Sequence, residues 1–279
     1  SLGIRTDANN YSSAMSDPLS QLSPRFSASY LLTDRWSVNF SAGRYFQRPA
    51  YTTLGYRDAT GLLVNRENEV KYISNDQLVA GFAYRPGARF EFSLEGFYKY
   101  YYDYPFSLTD SVSLASKGAD YGTFGDEAVV SVSEGRAVGA EAFVKGIIFA
   151  DINLIASYTY VRSEFQDKNG QFIPSAWDNI HIFNISARKS FKRNWDVGGK
   201  WRFVGGAPYT PWDVYTSSFV QAWNARSGPY LDYDEFNTLR LGAFHQLDVR
   251  VDKSYFFRKW SLTVYLDIQN LYNFKAEQP

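Results

Sequence analysis

A strand keeps one face wholly apolar and the other wholly polar only if its side chains alternate, and stretch after stretch of this chain does so. The clearest case lies near the C-terminus. Trp260, Leu262, Val264, Leu266 and Ile268 point one way, and Ser261, Thr263, Tyr265, Asp267 and Gln269 point the other. Across a short basic turn at Phe257-Arg258-Lys259, Leu247, Val249 and Val251 alternate with Gln246, Asp248, Arg250 and Asp252. The same period runs through Phe26–Leu32, Trp36–Ala42, Leu78–Tyr84, Phe90–Tyr98, Val138–Val144 and Ile152–Tyr158. Strands of this length, rich at their ends in Trp, Tyr and Phe, suit a membrane crossing, with lipid on one side and a wet lumen on the other. Aromatic residues are 18% of the 279, with 22 Tyr and 22 Phe, which is the excess that interfacial girdles consume. A soluble, aromatic-rich β-sandwich would alternate too, so the period alone does not decide.

The connections add a second regularity. Short turns fall at Thr33-Asp34-Arg35, Arg85-Pro86-Gly87-Ala88, Ala150-Asp151, Lys192-Arg193-Asn194 and Phe257-Arg258-Lys259. Between them run long segments, about 7–23, 50–71, 105–134, 166–176 and 205–242. Strict alternation of short and long connections is the habit of bacterial outer-membrane barrels, with short periplasmic turns and long extracellular loops. The expected fold is all-β, a transmembrane antiparallel β-barrel. About eleven strands can be read, whereas single-chain bacterial barrels close with an even number. Residues 1–279 are therefore expected to be one portion of a larger barrel domain.

Mean hydropathy is −0.35, which suits strands that show lipid only every second residue. The formal net charge of +0 gives no footprint for nucleic acid. With no cysteine there is no disulfide scaffold and no thiolate metal site. Ser1-Leu2-Gly3-Ile4-Arg5 has none of the parts of a signal peptide, so either a mature chain or an internal segment begins here.

Catalytic patterns are missing. No HExxH, GxSxG, phosphate loop or EF-hand occurs, so no enzyme activity and no cofactor is expected. His181 shares the apolar face with Phe183 and Ile185 and reads as a girdle residue. Glu91, Glu95, Glu141, Lys145 and Arg202 fall on the polar, lumen-facing side. The carboxylates there are expected to pair with Arg89, Lys145, Lys200 or Arg202, or to touch whatever fills the lumen. Recognition is better sought in the outer loops. The longest carries Tyr209, Trp212, Tyr215, Phe219, Trp223, Tyr230, Tyr233 and Phe236. Such aromatics stack on sugars and macrocycles, or fold over the barrel mouth as a cluster of their own. Tyr209, Trp212, Tyr215, Trp223, Tyr230 and Tyr233 are the candidate ligand contacts. The 105–134 segment is acidic, with Asp110, Asp120, Asp126, Glu127 and Glu134 against Lys117, which is either a solvated face or a surface for a cationic or metal-complexed ligand. The short turns are basic at Arg35, Arg85, Arg89, Lys192, Arg193, Arg258 and Lys259, and are expected to meet lipid headgroups.

Three stretches resemble the C-terminal half of the barrel of TonB-dependent outer-membrane receptors, especially the Bacteroidetes type. They are LSPRFSASYLLTDRWSVNFSAGRYFQRP at 22–49, GRAVGAEAFVKG at 135–146, and RVDKSYFFRKWSLTVYLDIQNLYN at 250–273. The resemblance implies a 22-stranded barrel in the Gram-negative outer membrane, its lumen filled by an N-terminal plug. It implies a receptor that imports a scarce solute (siderophore, cobalamin, glycan or peptide) with energy passed through TonB. Membrane lipid, the plug, the TonB complex and a surface lipoprotein are the implied partners. The plug, the TonB-contacting box and the last strand are not in 1–279 and are expected outside it. Two other readings stay open: a small twelve-stranded porin or adhesin barrel, and a soluble glycan-binding β-protein.

Overall fold

The computed structural model describes residues 1–117 and 125–277. Its strands are β1 Leu2–Arg5, β2 Ser23–Leu31, β3 Trp36–Gln47, β4 Ile73–Gly87, β5 Phe90–Ser107, β6 Val129–Ile148, β7 Ile152–Gln166, β8 Phe172–Pro174, β9 Ile180–Phe191, β10 Trp195–Val204, β11 Pro208–Tyr209, β12 Leu239–Arg240, β13 Phe244–Phe256 and β14 Ser261–Ile268. The large sheet is antiparallel throughout, each strand beside its neighbour in the order β1-β2-β3-β4-β5-β6-β7-β9-β10-β13-β14. The short β8 folds back on the outer end of β7, and β11 pairs with β12 in a separate ribbon. Strands β1 and β14 are the sheet's two edges. The whole is a partial barrel wall.

The register carries one apolar face from strand to strand. Phe40 stands opposite Phe26's neighbour Ala28, Val38 opposite Phe82, Phe82 opposite Leu94, and Leu94 opposite Ala142. Ala142 then faces Tyr158, Tyr158 faces Phe183, and Phe183 faces Phe203. The other face is polar, as in Asn39 opposite Gly81, Glu95 opposite Glu141, and Arg202 opposite Gln246. Among the described residues no second layer covers the apolar side. Leu266 is 62% exposed and Val264 55%. In water a face of this extent would drive association, and in a bilayer it is the lipid contact. Aromatic pairs rim it at the turn end, where Trp36 lies 4.4 Å from Tyr84 and Phe257 stacks on Trp260 at 4.0 Å. His181 stands on this face, its Nδ1 2.8 Å from the Tyr158 hydroxyl. Among the described residues no helix is long and apolar enough to cross a membrane.

The buried hydrophobic cluster lies elsewhere. Met15, Leu54, Val70, Tyr72, Leu114 and Val129 pack together where the long connections meet the outer strand ends. Two boundaries differ from the sequence expectation for this reason. The third loop is shorter than 105–134, because β5 runs on to Ser107 and β6 begins at Val129, its 20 residues spanning roughly 65 Å. Strand β9 starts at Ile180 rather than Trp177, because Asp178 is held by side-chain partners away from the ladder.

The glycines of the 135–146 stretch have a packing role. A Cβ on Gly135 would strike the Phe165 ring, and one on Gly139 would strike the Tyr160 carbonyl and come within 2.6 Å of Phe97. Each glycine is thus roofed by an aromatic ring from a neighbouring strand. Gly139→Val is expected to destabilise the folded barrel by about 1–3 kcal/mol, since ring and strand must both move. Gly96→Val should be tolerated, because its nearest neighbour would lie 3.9 Å away. Heat-modifiable gel mobility of the two variants after urea titration checks the contrast.

Candidate functional site

The long connections form a bonded layer at the outer end of the sheet. Asn65 is fully buried there; its Nδ2 donates to the carbonyls of Thr53 at 2.7 Å and Glu127 at 2.8 Å, and its Oδ1 accepts from the Val129 N–H at 2.8 Å. The Ser12 hydroxyl donates to the Val70 carbonyl, and the Tyr11 hydroxyl to that of Leu54. Glu69 accepts from the Ser13 hydroxyl and the Ala14 N–H, which lowers its pKa. Asp178, also fully buried, pairs with Arg162 at 3.2 Å and with Arg240. Asn237 donates to the carbonyls of Ser116 and Pro174, each at 2.8 Å. Three separate connections are tied by that one side chain.

Two carboxylates of the acidic 105–134 segment share one lysine, and a third, Glu134, accepts from the Tyr100 hydroxyl. Lys117 reaches both Asp110 and Glu127 at 2.5 Å. Burial pulls the Lys117 pKa down, and the two carboxylates more than offset it, leaving it raised. Asp120 lies outside the described residues.

The 205–243 connection rises as a stem and a tip. Tyr209 pairs with Leu239 in the β11–β12 ribbon, and Trp212 bridges Leu231. Beyond them two short helices, Val214–Ser217 and Val220–Arg226, make the tip. Asp213 caps the first by accepting from the Thr216 N–H, which lowers its pKa. Tyr230 closes the tip, its N–H donating to the Ser217 hydroxyl and its carbonyl accepting from Asp213. The six aromatic candidates do not converge on one pocket. Tyr233 stacks on buried Phe236 at 5.5 Å in the braced base. Tyr215, 76% exposed, meets Phe219 edge-on at 5.1 Å at the tip, where Trp223 is also exposed, and Trp212 is exposed at the top of the stem.

On the polar face Glu91 pairs with Arg85 at 2.5 Å, and neither Arg89 nor Lys145 is its partner, although Lys145 stands opposite in register. Among the described residues Glu95 and Glu141, opposite each other in register, make no ion pair with lumen Arg or Lys, which leaves them facing the lumen. Arg202 donates to Gln246 at 2.9 Å. The denser charge lies on β9–β14: Arg188 with Asp196 at 3.1 Å, Arg250 with Asp252 at 2.8 Å, and Lys200 opposite Asp248. Among the described residues no group of His, Asp and Glu is placed to hold a metal. Asn65, Asp178 and Asn237, which hold the layer together, carry no sequence signal. Each is a single polar residue in a polar stretch.

The TonB dependent receptor-like β-barrel family model matches residues 1–271. Similar folds occur in the ferripyoverdine receptor FpvA of Pseudomonas aeruginosa (17% identity, 91% of this chain and 29% of that one, TM-score 0.61). They occur also in the ferric-catecholate import receptor Fiu of Escherichia coli K12 (13%, 99% and 36%, TM-score 0.62) and the FrpB iron transporter of Neisseria meningitidis (16%, 91% and 35%, TM-score 0.58). The chain spans about a third of the length of these structures. No curated protein sequence matches it. A continuous apolar outer face, a polar inner face, an outer layer of long connections and a family match over almost every residue agree, and the chain belongs to the TonB-dependent receptor-like β-barrels, proteins of the Gram-negative outer membrane.

Proposed function

We propose that residues 1–279 supply part of the pore wall and the outer ligand-capturing surface of a receptor that imports a scarce nutrient, powered through a plug and TonB. The work is binding and gated passage, not bond-making. The observation that carries this reading is the contrast within 205–243: a base fixed by Asn237 and Arg240, and a tip that holds Tyr215, Phe219 and Trp223 out to solvent. A rigid stem lowers the ordering cost of binding, and exposed rings give contact area with few rotors to freeze. The similar solved receptors are named for ferripyoverdine, ferric catecholate and iron, so ferric siderophores are the first class to try, followed by cobalamin, glycans and peptides. Glu95, Glu141, Lys145 and Arg202 would line the inner wall against the plug.

The test is to excise 213–230 from the full-length receptor and join Trp212 to Leu231 through two glycines. Cell-surface binding of the ligand that supports growth should weaken at least about tenfold, with heat-modifiable mobility of the barrel unchanged. Wild-type affinity in the excised receptor would remove the tip from the binding surface.

A further inference from the structure

The apolar outer face carries two lysines close to the short turns, two residues apart in register. Lys189 of β9 lies opposite Val197, and Lys253 of β13 lies opposite Trp195. They flank β10 from its two sides, two strand spacings apart across the sheet and two residues apart along it, roughly 12 Å in all. The β9–β10 turn between them adds Lys192 and Arg193. Rings frame the group: the Lys189 ammonium is 5.2 Å from the Phe191 centroid, and that of Lys253 is 5.3 Å from both Trp195 and Tyr255. Lys253 also donates to the Arg193 carbonyl, which fixes it at the corner. Among the described residues none of the four cations makes an ion pair. The carboxylates nearest in register, Asp196 and Asp252, are on the opposite, polar face and are taken by Arg188 and Arg250. Asp151, in the adjoining turn, makes no ion pair with them either.

A lysine on the lipid face is costly at the bilayer mid-plane and nearly free at its interface, where the stem lies along hydrocarbon and the ammonium reaches the headgroups. Both lysines stand at the depth of the aromatic rim, so the interface is where they sit. Four positive charges without a counter-charge call for an anion there. A zwitterionic headgroup would bring its own ammonium into the cluster, whereas an anionic phosphodiester brings only acceptors.

We propose that Lys189, Lys192, Arg193 and Lys253 form a binding site for the headgroup of an anionic glycerophospholipid in the periplasmic leaflet, at the corner where β9, β10 and β13 meet. The site rests on the strands crossing the membrane with their short turns inward. The full-length receptor in nanodiscs of equal phosphatidylglycerol and phosphatidylethanolamine, ejected intact into a mass spectrometer, reads which lipid stays bound. The wild type is expected to retain phosphatidylglycerol preferentially. K189Q/K253Q should cut that retention about tenfold, K189R/K253R should keep it, and R66Q/K99Q, which removes two cations toward the long loops, should leave it unchanged. No preference in the wild type, or a preference that survives K189Q/K253Q, overturns the site. Failure of the wild type to insert into neutral phosphatidylcholine vesicles would instead overturn the membrane reading beneath it.

Discussion

Asp178→Ala is expected to release the base of the 205–243 connection, and protease should then cut that connection about 100-fold faster while the barrel stays folded. The side chain is wholly buried and accepts from three groups on two segments: the Ser163 N–H at 2.7 Å and Arg162 at 3.2 Å, both on β7, and the Arg240 guanidinium on β12, which also donates to the Asp178 backbone carbonyl. Removing one partner of a buried ion pair costs more than the pair contributes, because the remaining charge is left desolvated. Both arginines keep some contact with water, so the lower end of the usual range applies, about 3 kcal/mol. That is about two decades in the local opening constant, and cleavage follows it when reclosing is fast. Asp178→Asn keeps an acceptor for Ser163 and should lose about half as much. Trypsin sites at Arg226 and Arg240 report the opening; unboiled gel mobility reports the barrel. Unchanged cleavage in Asp178→Ala would mean that the base is held by its hydrogen bonds through Asn237 alone.

The strands were legible because a period of two is a local property. Once Trp260 is placed toward lipid, the faces of Ser261 through Ile268 follow, and the ladder passes that assignment to β13, β10 and onward. Turns were legible where their chemistry is specific, as at Arg85-Pro86-Gly87. Parity also put Glu91, Glu95, Glu141, Lys145 and Arg202 on one face, but it does not choose partners. Glu91 takes Arg85 from across its own turn, six positions away on the same face, in preference to Lys145 on the next strand. The outer layer was not legible. Asn65 bonds to Glu127 and Val129, 62 and 64 positions away, and Asn237 bonds to Ser116, 121 positions away. Glu127 and Asp110 read as a solvated acidic face or a surface for a cationic ligand, because composition counts Lys117 against five acids without showing which two it joins. The aromatics of 205–243 read as one group because sequence shows their number and not the stem that separates base from tip.

Asn65→Leu should have the largest effect in the chain. The substitution keeps the branching and the number of side-chain heavy atoms, so it removes the hydrogen bonds without leaving a cavity, and the bulk of its methyls adds to the cost. It strands the carbonyls of Thr53 and Glu127 and the N–H of Val129 in a site with no exposed surface. A buried group left unpaired costs about 1–3 kcal/mol, so three of them, less what entering water recovers, amount to roughly 4 kcal/mol. Hydrogen exchange at the Val129 amide reads this directly, since that N–H donates to Asn65; its protection should fall about 1,000-fold. Asn68→Ala removes one bond, to the Val129 carbonyl from a half-buried side chain, and should cost about 1 kcal/mol, which controls for a generally soft loop. Exchange in β9 and β10, away from the layer, should not change in either variant. Loss confined to the outer ends of β5 and β6 would show the layer opening as one unit, which is what a braced stem beneath an exposed aromatic tip requires. Retained protection at Val129 would mean that the Met15–Val129 apolar cluster alone holds the layer closed, and the polar hub would then set its register and not its stability.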